Sequence, residues 1–138
     1  MTSIQTELIQ VEQGIYELKY LAHETFHAFK AGKLRVDFKI ISFGPEFGKV
    51  VSRFYNVKLK GPAKTRGRFA AGWQSECMRE YVNLLNERPE RNDRLNWSKL
   101  KDKIVVGAVR DVDVDYKQRS KHALLRNSVV GELVGLKE

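Results

Sequence analysis

Residues 33–41 read KLRVDFKII and alternate strictly between apolar and charged side chains as far as Ile40. The apolar positions are Leu34, Val36, Phe38 and Ile40, and a lysine, arginine or aspartate precedes each of them. A period of two is the pattern of a strand with one buried and one solvated face. The sequence therefore predicts a half-buried β-strand here, and the other elements are placed relative to it.

The residues that follow predict the second half of a hairpin. SFGPEFG holds two glycines and a proline and predicts a turn. Residues 49–57, KVVSRFYNV, are rich in β-branched and aromatic residues and predict the returning strand. The pattern leaves its facing open, because both faces mix apolar and polar side chains. One face carries Val51, Arg53, Tyr55 and Val57, and the other carries Val50, Ser52, Phe54 and Asn56.

Residues 15–29 allow two interpretations. Read with a period of two, GIYELKYLAHE places aromatic and aliphatic side chains on one face of a strand. The same stretch also forms an apolar arc on a helical wheel. We favour a strand, because a glycine followed by an aromatic-rich run is typical of strand entry. The strand at 33–41 also needs an antiparallel neighbour to cover its edge.

The remaining elements complete a recognisable order. Residues 73–86, WQSECMREYVNLLN, predict an amphipathic helix with Cys77 in its apolar half, buried rather than nucleophilic. Residues 103–115 and 127–136 predict two further strands, rich in valine. Five strands with one helix between the third and the fourth is the order of the OB-fold, a Greek-key barrel. We therefore expect a mainly β protein with one OB-like domain, residues 1–138.

The composition is that of a folded and basic chain. Of its 138 residues, 42% are hydrophobic, and the formal net charge is +8. No apolar run approaches the roughly 18 residues of a membrane-spanning helix, and no secretory signal pattern opens the chain. A single cysteine excludes a disulfide framework and is typical of a reducing compartment. We therefore expect a cytoplasmic protein that contacts no membrane.

The positive charge is concentrated in two stretches without acidic residues. They are 58–72, KLKGPAKTRGRFAAG, and 116–127, YKQRSKHALLRN. Their cations are Lys58, Lys60, Lys64, Arg66 and Arg68 in the first stretch, and Lys117, Arg119, Lys121 and Arg126 in the second. Their turn residues predict loops. We expect the two loops to be neighbours and to form an electrostatic footprint for a polyanion. Basic loops that only aid solubility are the alternative.

Residues 23–27, HETFH, match the pattern H-E-x-x-H. On a helix this pattern sets two imidazoles one turn apart, where they bind zinc beside a water-activating glutamate. With its flanks, LAHETFHAF resembles the active-site helix of the zincin peptidases, which implies His23 and His27 as metal ligands. Only 22 residues precede the motif, and the peptidase gives the basic loops no role. The other interpretation is that both histidines decorate a surface turn or strand end.

Six patches in this order also resemble a family of binding proteins. They are GIYELKY, KLRVDFKI, GPEFGKVVSRFYNV, GRFAAGWQSECMREYVNLL and KIVVGAVRDVDVDYKQR, followed by NSVVGEL. Together they resemble small OB-fold proteins of phages, plasmids and integrated elements that bind single-stranded DNA in replication and recombination. The resemblance covers roughly residues 14–136. It implies single-stranded DNA as the partner, with homo-oligomers or replication and recombination proteins as further partners.

An OB barrel binds single strands with cations that follow the phosphates and aromatic side chains that stack on the bases. The loops after the first and fourth strands and the faces of strands two and three commonly form the groove. Besides the nine cations of the basic stretches, the candidates are Arg35, Lys39, Arg53, Tyr55, Phe26 and Phe29. The alternatives are that Phe26 and Phe29 cap the barrel end as core and that Tyr55 is buried against the helix.

These observations predict a non-catalytic protein that binds single-stranded nucleic acid, most of all DNA, without a metal or cofactor. A zinc peptidase that uses residues 23–27 is the alternative. A third class is an interaction protein whose basic loops contact an acidic protein.

Overall fold

The structure, a computed structural model, describes residues 11–114 and 125–137. Strands dominate it, and the predicted mainly β class is confirmed. The strands are β1 (Gly14–Ala28), β2 (Ala31–Ile40), β3 (Val50–Leu59), β4 (Phe69–Ala70), β5 (Ile104–Val114) and β6 (Leu125–Leu136). The helices are α1 (Glu76–Leu85) and a 3₁₀ helix (Trp97–Leu100). No helix among the described residues is long and apolar enough to cross a membrane.

The six strands form one antiparallel sheet in the order β4-β3-β2-β1-β5-β6. The sheet curves until β3 and β6 come within 8 Å of each other at Cα. No ladder of hydrogen bonds joins these two strands in the described part of the chain, so the sheet is not closed. Helix α1 contacts both strands and therefore lies across the gap between them.

Strand β1 holds the sheet together because it pairs along both edges. Its residues from Leu18 onward pair with β2, and residues 14–19 pair with β5. The register shifts between Tyr20 and Ala22, where Leu21 is an exposed bulge. The strand interpretation of residues 15–29 is thus confirmed, since two neighbours satisfy the backbone groups that a lone strand would expose.

The alternation of β2 sets an inner and an outer face. Its side chains from Leu34 to Ile40 at even positions are fully buried, whereas those at odd positions face outward. On β3, Val51, Arg53 and Tyr55 share the inner face with them, and Phe54 lies outside. This register therefore decides which face of residues 49–57 is buried.

The core lies between the inner face of the sheet and α1. Ser75 caps the helix by accepting a hydrogen bond from the amide of Met78, which supplies a partner for an otherwise free N–H group. Cys77 is buried in this core, as predicted, and burial raises the pKa of its thiol to about 12. Trp97 of the 3₁₀ helix is fully buried in the core.

The first basic stretch is attached to β1. The amide of Thr25 donates to the carbonyl of Lys64 at 3.0 Å, and the amide of Arg66 donates to the carbonyl of His23 at 3.0 Å. Gly67 lies so close that a Cβ there would be 2.1 Å from Thr25 Oγ1. The loop therefore covers the edge of β1 that β5 leaves unpaired.

Candidate nucleic-acid interface

A groove on the outer face opens beside the turn between β1 and β2. Phe26 comes from β1, Phe29 from the turn, Lys33 from β2, and Phe54 and Asn56 from β3. We call these five residues the outer groove; Ala28, Tyr55 and the exposed Glu76 of α1 line the same cavity. Its volume is about 340 Å³. The strand register brings them together, because Phe26 pairs with Lys33, and Lys33 pairs with Asn56.

The outer groove offers aromatic surface next to a cation. The rings of Phe26 and Phe54 meet edge to face with centroids 6.2 Å apart, and Phe54 is 38% exposed. Lys33 Nζ donates to Asn56 Oδ1 and lies 6.0 Å from the centroid of the Phe29 ring. Aromatic faces that stack on bases beside a cation that meets a phosphate are the elements of single-strand binding.

Phe29 occupies an unusual position for a large apolar residue. It is 94% exposed, and both Phe29 and Lys30 have positive φ, at 54° and 62°. Such a two-residue turn favours asparagine and glycine, and a bulky residue there is strained by about 1–3 kcal/mol. Neither the turn nor the core explains a phenylalanine here, and the alternative that it caps the barrel as core is wrong. Phe26 is half-buried on the outer face, in β1 rather than in the expected loop.

The assignment of Arg53 and Tyr55 to a solvent face is wrong, although Tyr55 lines the cavity of the outer groove. Both are buried on the inner face and bind Glu80 of α1. Arg53 donates to the two carboxylate oxygens of Glu80 at 3.1 and 2.7 Å, and Tyr55 Oη donates to Oε1 at 2.6 Å. The amide of Leu133 on β6 also donates to Oε1, at 3.2 Å. Glu80 therefore joins β3 to β6 where the sheet stays open.

The same cluster explains the shifted pKa values on the inner face. Burial, followed by the charge of Glu80, raises the pKa of Tyr55. Burial opposes ionisation of Arg53, but its hydrogen bonds to Glu80 hold its pKa above the usual value. The ring of Tyr55 stacks on Trp97 at 5.5 Å, and the Arg53 guanidinium lies 4.4 Å from the Tyr55 centroid. These contacts stabilise the fold.

The outer face of β2 supplies fewer free cations than predicted. Arg35 points outward, yet its side chain is only 10% exposed, because Glu24 and Asp37 bind it at 3.0 and 2.8 Å. Lys39 is half-buried and lies 5.7 Å from the centroid of Phe47 at the far end of β2. Of the two residues, Lys39 alone keeps a charge that a phosphate could approach.

The structure describes in full only the first of the two basic stretches, so the single patch that we expected stays a prediction. Lys58 is exposed on the outer face of β3, and Lys60, Lys64, Arg66 and Arg68 are exposed in the loop that follows. This loop contacts β1 at His23–Thr25, whereas Gly14, at the other end of β1, pairs with Val109, and β5 runs on from there. The strand ends that bound the second stretch thus lie at the opposite end of β1. Lys117, Arg119, Lys121 and the side chain of Arg126 lie outside the described residues.

The HETFH stretch lies in β1 and not in a helix. Residues four apart on a strand are about 13 Å apart, so His23 and His27 do not form the ligand pair that the zincin pattern predicts. His23 is buried, and its Nδ1 lies 2.6 Å from Tyr20 Oη, whereas His27 is exposed. Desolvation, with a smaller contribution from Arg66, lowers the pKa of His23 to about 4. Within residues 11–114 and 125–137, no three His, Cys, Asp or Glu side chains cluster as a metal site.

Sequence reasoning missed Phe54, Lys33 and Asn56 in the outer groove. The signal was present in the alternation of residues 49–57, because Phe54 takes the face opposite to Arg53 and Tyr55. The facing itself depends on Glu80, which is remote in sequence.

Comparisons of the chain with protein-family models, with curated proteins and with solved structures find no match.

Proposed function

We propose that this protein binds single-stranded DNA through the outer groove and has no catalytic activity. The observation that carries the proposal is the strained, almost fully exposed Phe29 beside Phe26, Phe54 and Lys33. Strain of this kind persists where function requires it. Three phenylalanines offer stacking surface for bases without selecting their identity. Single strands that arise in replication or recombination are the ligand that fits.

We further propose that the open sheet is an OB-like barrel. The order β5-β1-β2-β3 agrees with a Greek key, in which the fourth strand returns to lie beside the first. The approach of β6 to β3, bridged by Glu80, agrees with a partly open barrel. In that fold the face of the second and third strands binds oligonucleotides, and the outer groove lies on this face.

Fluorescence anisotropy with a labelled oligothymidine tests the binding. We expect affinity to fall steeply as salt rises, with a log–log slope of about −0.7 for each phosphate contacted. Phe29→Ala and Phe54→Ala should each weaken binding by about 1–3 kcal/mol, the value of one stacked base.

Phe43→Ala is the matched control for these two variants. Phe43 is also fully exposed, but it lies in the loop at the other end of β2. Unchanged affinity in both Phe29→Ala and Phe54→Ala would contradict the outer groove. Binding of an acidic polypeptide in place of the oligonucleotide, with the same salt dependence, would favour the interaction-protein class.

A further inference from the structure

The outer face of the sheet carries a second aromatic ring with a lysine over it, at the end of β2 remote from the outer groove. Lys39 Nζ lies 5.7 Å from the centroid of the Phe47 ring. This geometry repeats that of Lys33 and Phe29 in the outer groove, where the distance is 6.0 Å. Phe47 is 58% exposed, and Val50, which pairs with Lys39, adds exposed apolar surface beside it. We call Phe47 and Lys39 the second pair.

Backbone hydrogen bonds tie the loop that carries Phe47, residues 41–49, to the end of β2. The amide of Phe47 donates to the carbonyl of Gly44 at 3.2 Å, and the amide of Gly48 donates to the carbonyl of Ile40 at 2.8 Å. Gly44 and Gly48 have positive φ, at 140° and 91°, a conformation that favours glycine. The backbone therefore accounts for the two glycines of this loop, but neither the backbone nor the core accounts for its exposed phenylalanine.

The surroundings of the second pair carry an excess of positive charge. Lys19 is exposed and pairs with Lys39 across β1 and β2, so both side chains lie on the outer face. Two acids at this end of the sheet are each bound by a further lysine, Glu46 by Lys49 at 2.6 Å and Glu17 by Lys137 at 2.9 Å. The charges of Lys19 and Lys39 therefore favour an anionic partner.

The middle of the outer face separates the second pair from the outer groove. There Glu24 and Asp37 bind Arg35 at 3.0 and 2.8 Å, so two carboxylates surround one guanidinium. This part of the face repels a phosphate, because its net charge is negative. A strand that contacts both ends of the face must therefore make its phosphate contacts at Lys33 and Lys39.

We propose that the second pair binds a further nucleotide of the same strand that occupies the outer groove, with its base on Phe47 and its phosphate at Lys39. Lys33 and Lys39 lie six residues apart on β2, which is about 20 Å at about 3.3 Å per residue. A stacked strand advances about 3.4 Å per nucleotide, so about six steps cover this distance, and an extended strand needs fewer. OB-folds bind about 4–16 nucleotides, so one strand can reach both sites. The inference rests on the proposed function, because it extends the path of the same ligand.

Competition between strands of different length tests the inference. Unlabelled oligothymidines of three or twelve nucleotides displace a labelled twelve-nucleotide strand, and anisotropy gives both affinities. Phe47→Ala should weaken binding of the longer strand about 5- to 150-fold, the value of one stacked base. It should leave the three-nucleotide strand unchanged, because that strand is too short to leave the outer groove. Lys39→Gln should reduce the magnitude of the log–log salt slope by about 0.7 for the longer strand alone.

Phe43→Ala and Arg94→Gln are the matched controls. Phe43 lies in the same loop and is fully exposed, but no cation of the described segments lies over its ring. Arg94 is exposed in the connection between α1 and the 3₁₀ helix. Both controls should keep the affinity and the salt slope of the wild type. Equal losses in Phe43→Ala and Phe47→Ala would overturn the assignment to the second pair.

The outcomes separate this inference from the proposed function. If Phe54→Ala weakens both strands while Phe47→Ala and Lys39→Gln change neither, the second pair is overturned and the outer groove stands. If Phe47→Ala weakens the longer strand whereas Phe29→Ala and Phe54→Ala do not, the outer groove fails and the second pair stands. Self-association that disappears in Phe47→Ala, with no effect on either strand, would assign the loop to contacts between copies of the chain and overturn the inference.

Discussion

The inner and outer faces of β3 carry similar residues with opposite roles. Inside, Arg53 and Tyr55 are buried and bind Glu80; outside, the adjacent Phe54 is exposed beside Lys33. Side chains alternate across a strand, so neighbouring residues face opposite sides. One residue therefore stabilises the core while the next is exposed to a ligand. The comparison teaches that residue type alone does not identify an interface, and that the partner across the core decides it.

Removing the carboxylate of the inner face should give the largest effect. Glu80→Ala leaves Arg53 buried without its partner and frees the amide of Leu133, so we expect the free energy of unfolding to fall by about 3–5 kcal/mol. Urea unfolding followed by circular dichroism measures it. The control is Glu76→Ala, whose side chain is 65% exposed and 3.5 Å from Arg53 and which should cost less than about 1 kcal/mol. Equal losses would break the contrast between a buried and an exposed partner.

Acid should weaken the fold through another group on the inner face. The pKa of His23 is about 4, below its ordinary value of 6.5, so between these values the unfolded chain binds a proton that the folded chain does not. The stabilisation is complete above pH 6.5 and is lost as pH falls towards 4, by at most about 3 kcal/mol. Unfolding curves measured across this range give the free energy of unfolding as a function of pH. Its slope should disappear in His23→Gln and remain in His27→Gln. A slope unchanged by His23→Gln would show that other groups cause it.

Adjacent positions on β3 should separate stability from affinity. Phe54→Ala should weaken binding of oligothymidine by about 1–3 kcal/mol. Tyr55→Phe removes the hydrogen bond to Glu80, so it should cost about 1 kcal/mol of stability and leave affinity unchanged. Anisotropy and urea unfolding on both variants give a two-by-two comparison. A variant that lowered stability and affinity to the same extent would contradict the separate roles of the two faces.

The smallest effect should come from single cations of the outer face. Lys33→Gln and Lys58→Gln should each reduce the magnitude of the log–log salt slope by about 0.7, the value of one phosphate contact on a single strand. Lys101→Gln, an exposed lysine next to the 3₁₀ helix, is the control. If none of the three changes altered the log–log salt slope, Lys33 and Lys58 would not be phosphate contacts.

Much of the fold follows from periodicity. The alternation of residues 33–41 predicts β2 and its buried face, because each core position recurs after two residues. The same signal failed to orient residues 49–57, because the inner arginine and tyrosine read as surface residues until Glu80 supplies their partner. The covering of β1 by the loop at Lys64 was also not predictable, since it depends on backbone hydrogen bonds between residues remote in sequence.

The candidate site was predicted in part. Phe26 and Phe29 were placed in the binding region from their position beside a basic residue, and they line the outer groove. The clusters of charge suggested one patch, but charge density along a sequence carries no information on which end of a strand each loop reaches. The pairing of Gly14 with Val109 places only the strand ends that bound the second stretch, at the end of β1 remote from the first stretch.

The loop attached at Thr25 has a consequence for solubility. An uncovered strand edge is a template on which a second molecule can add a strand, and such addition leads to aggregation. Gly67 lets the loop approach, because any side chain there would collide with Thr25. Gly67→Val should therefore increase edge-to-edge self-association, even where the core remains intact.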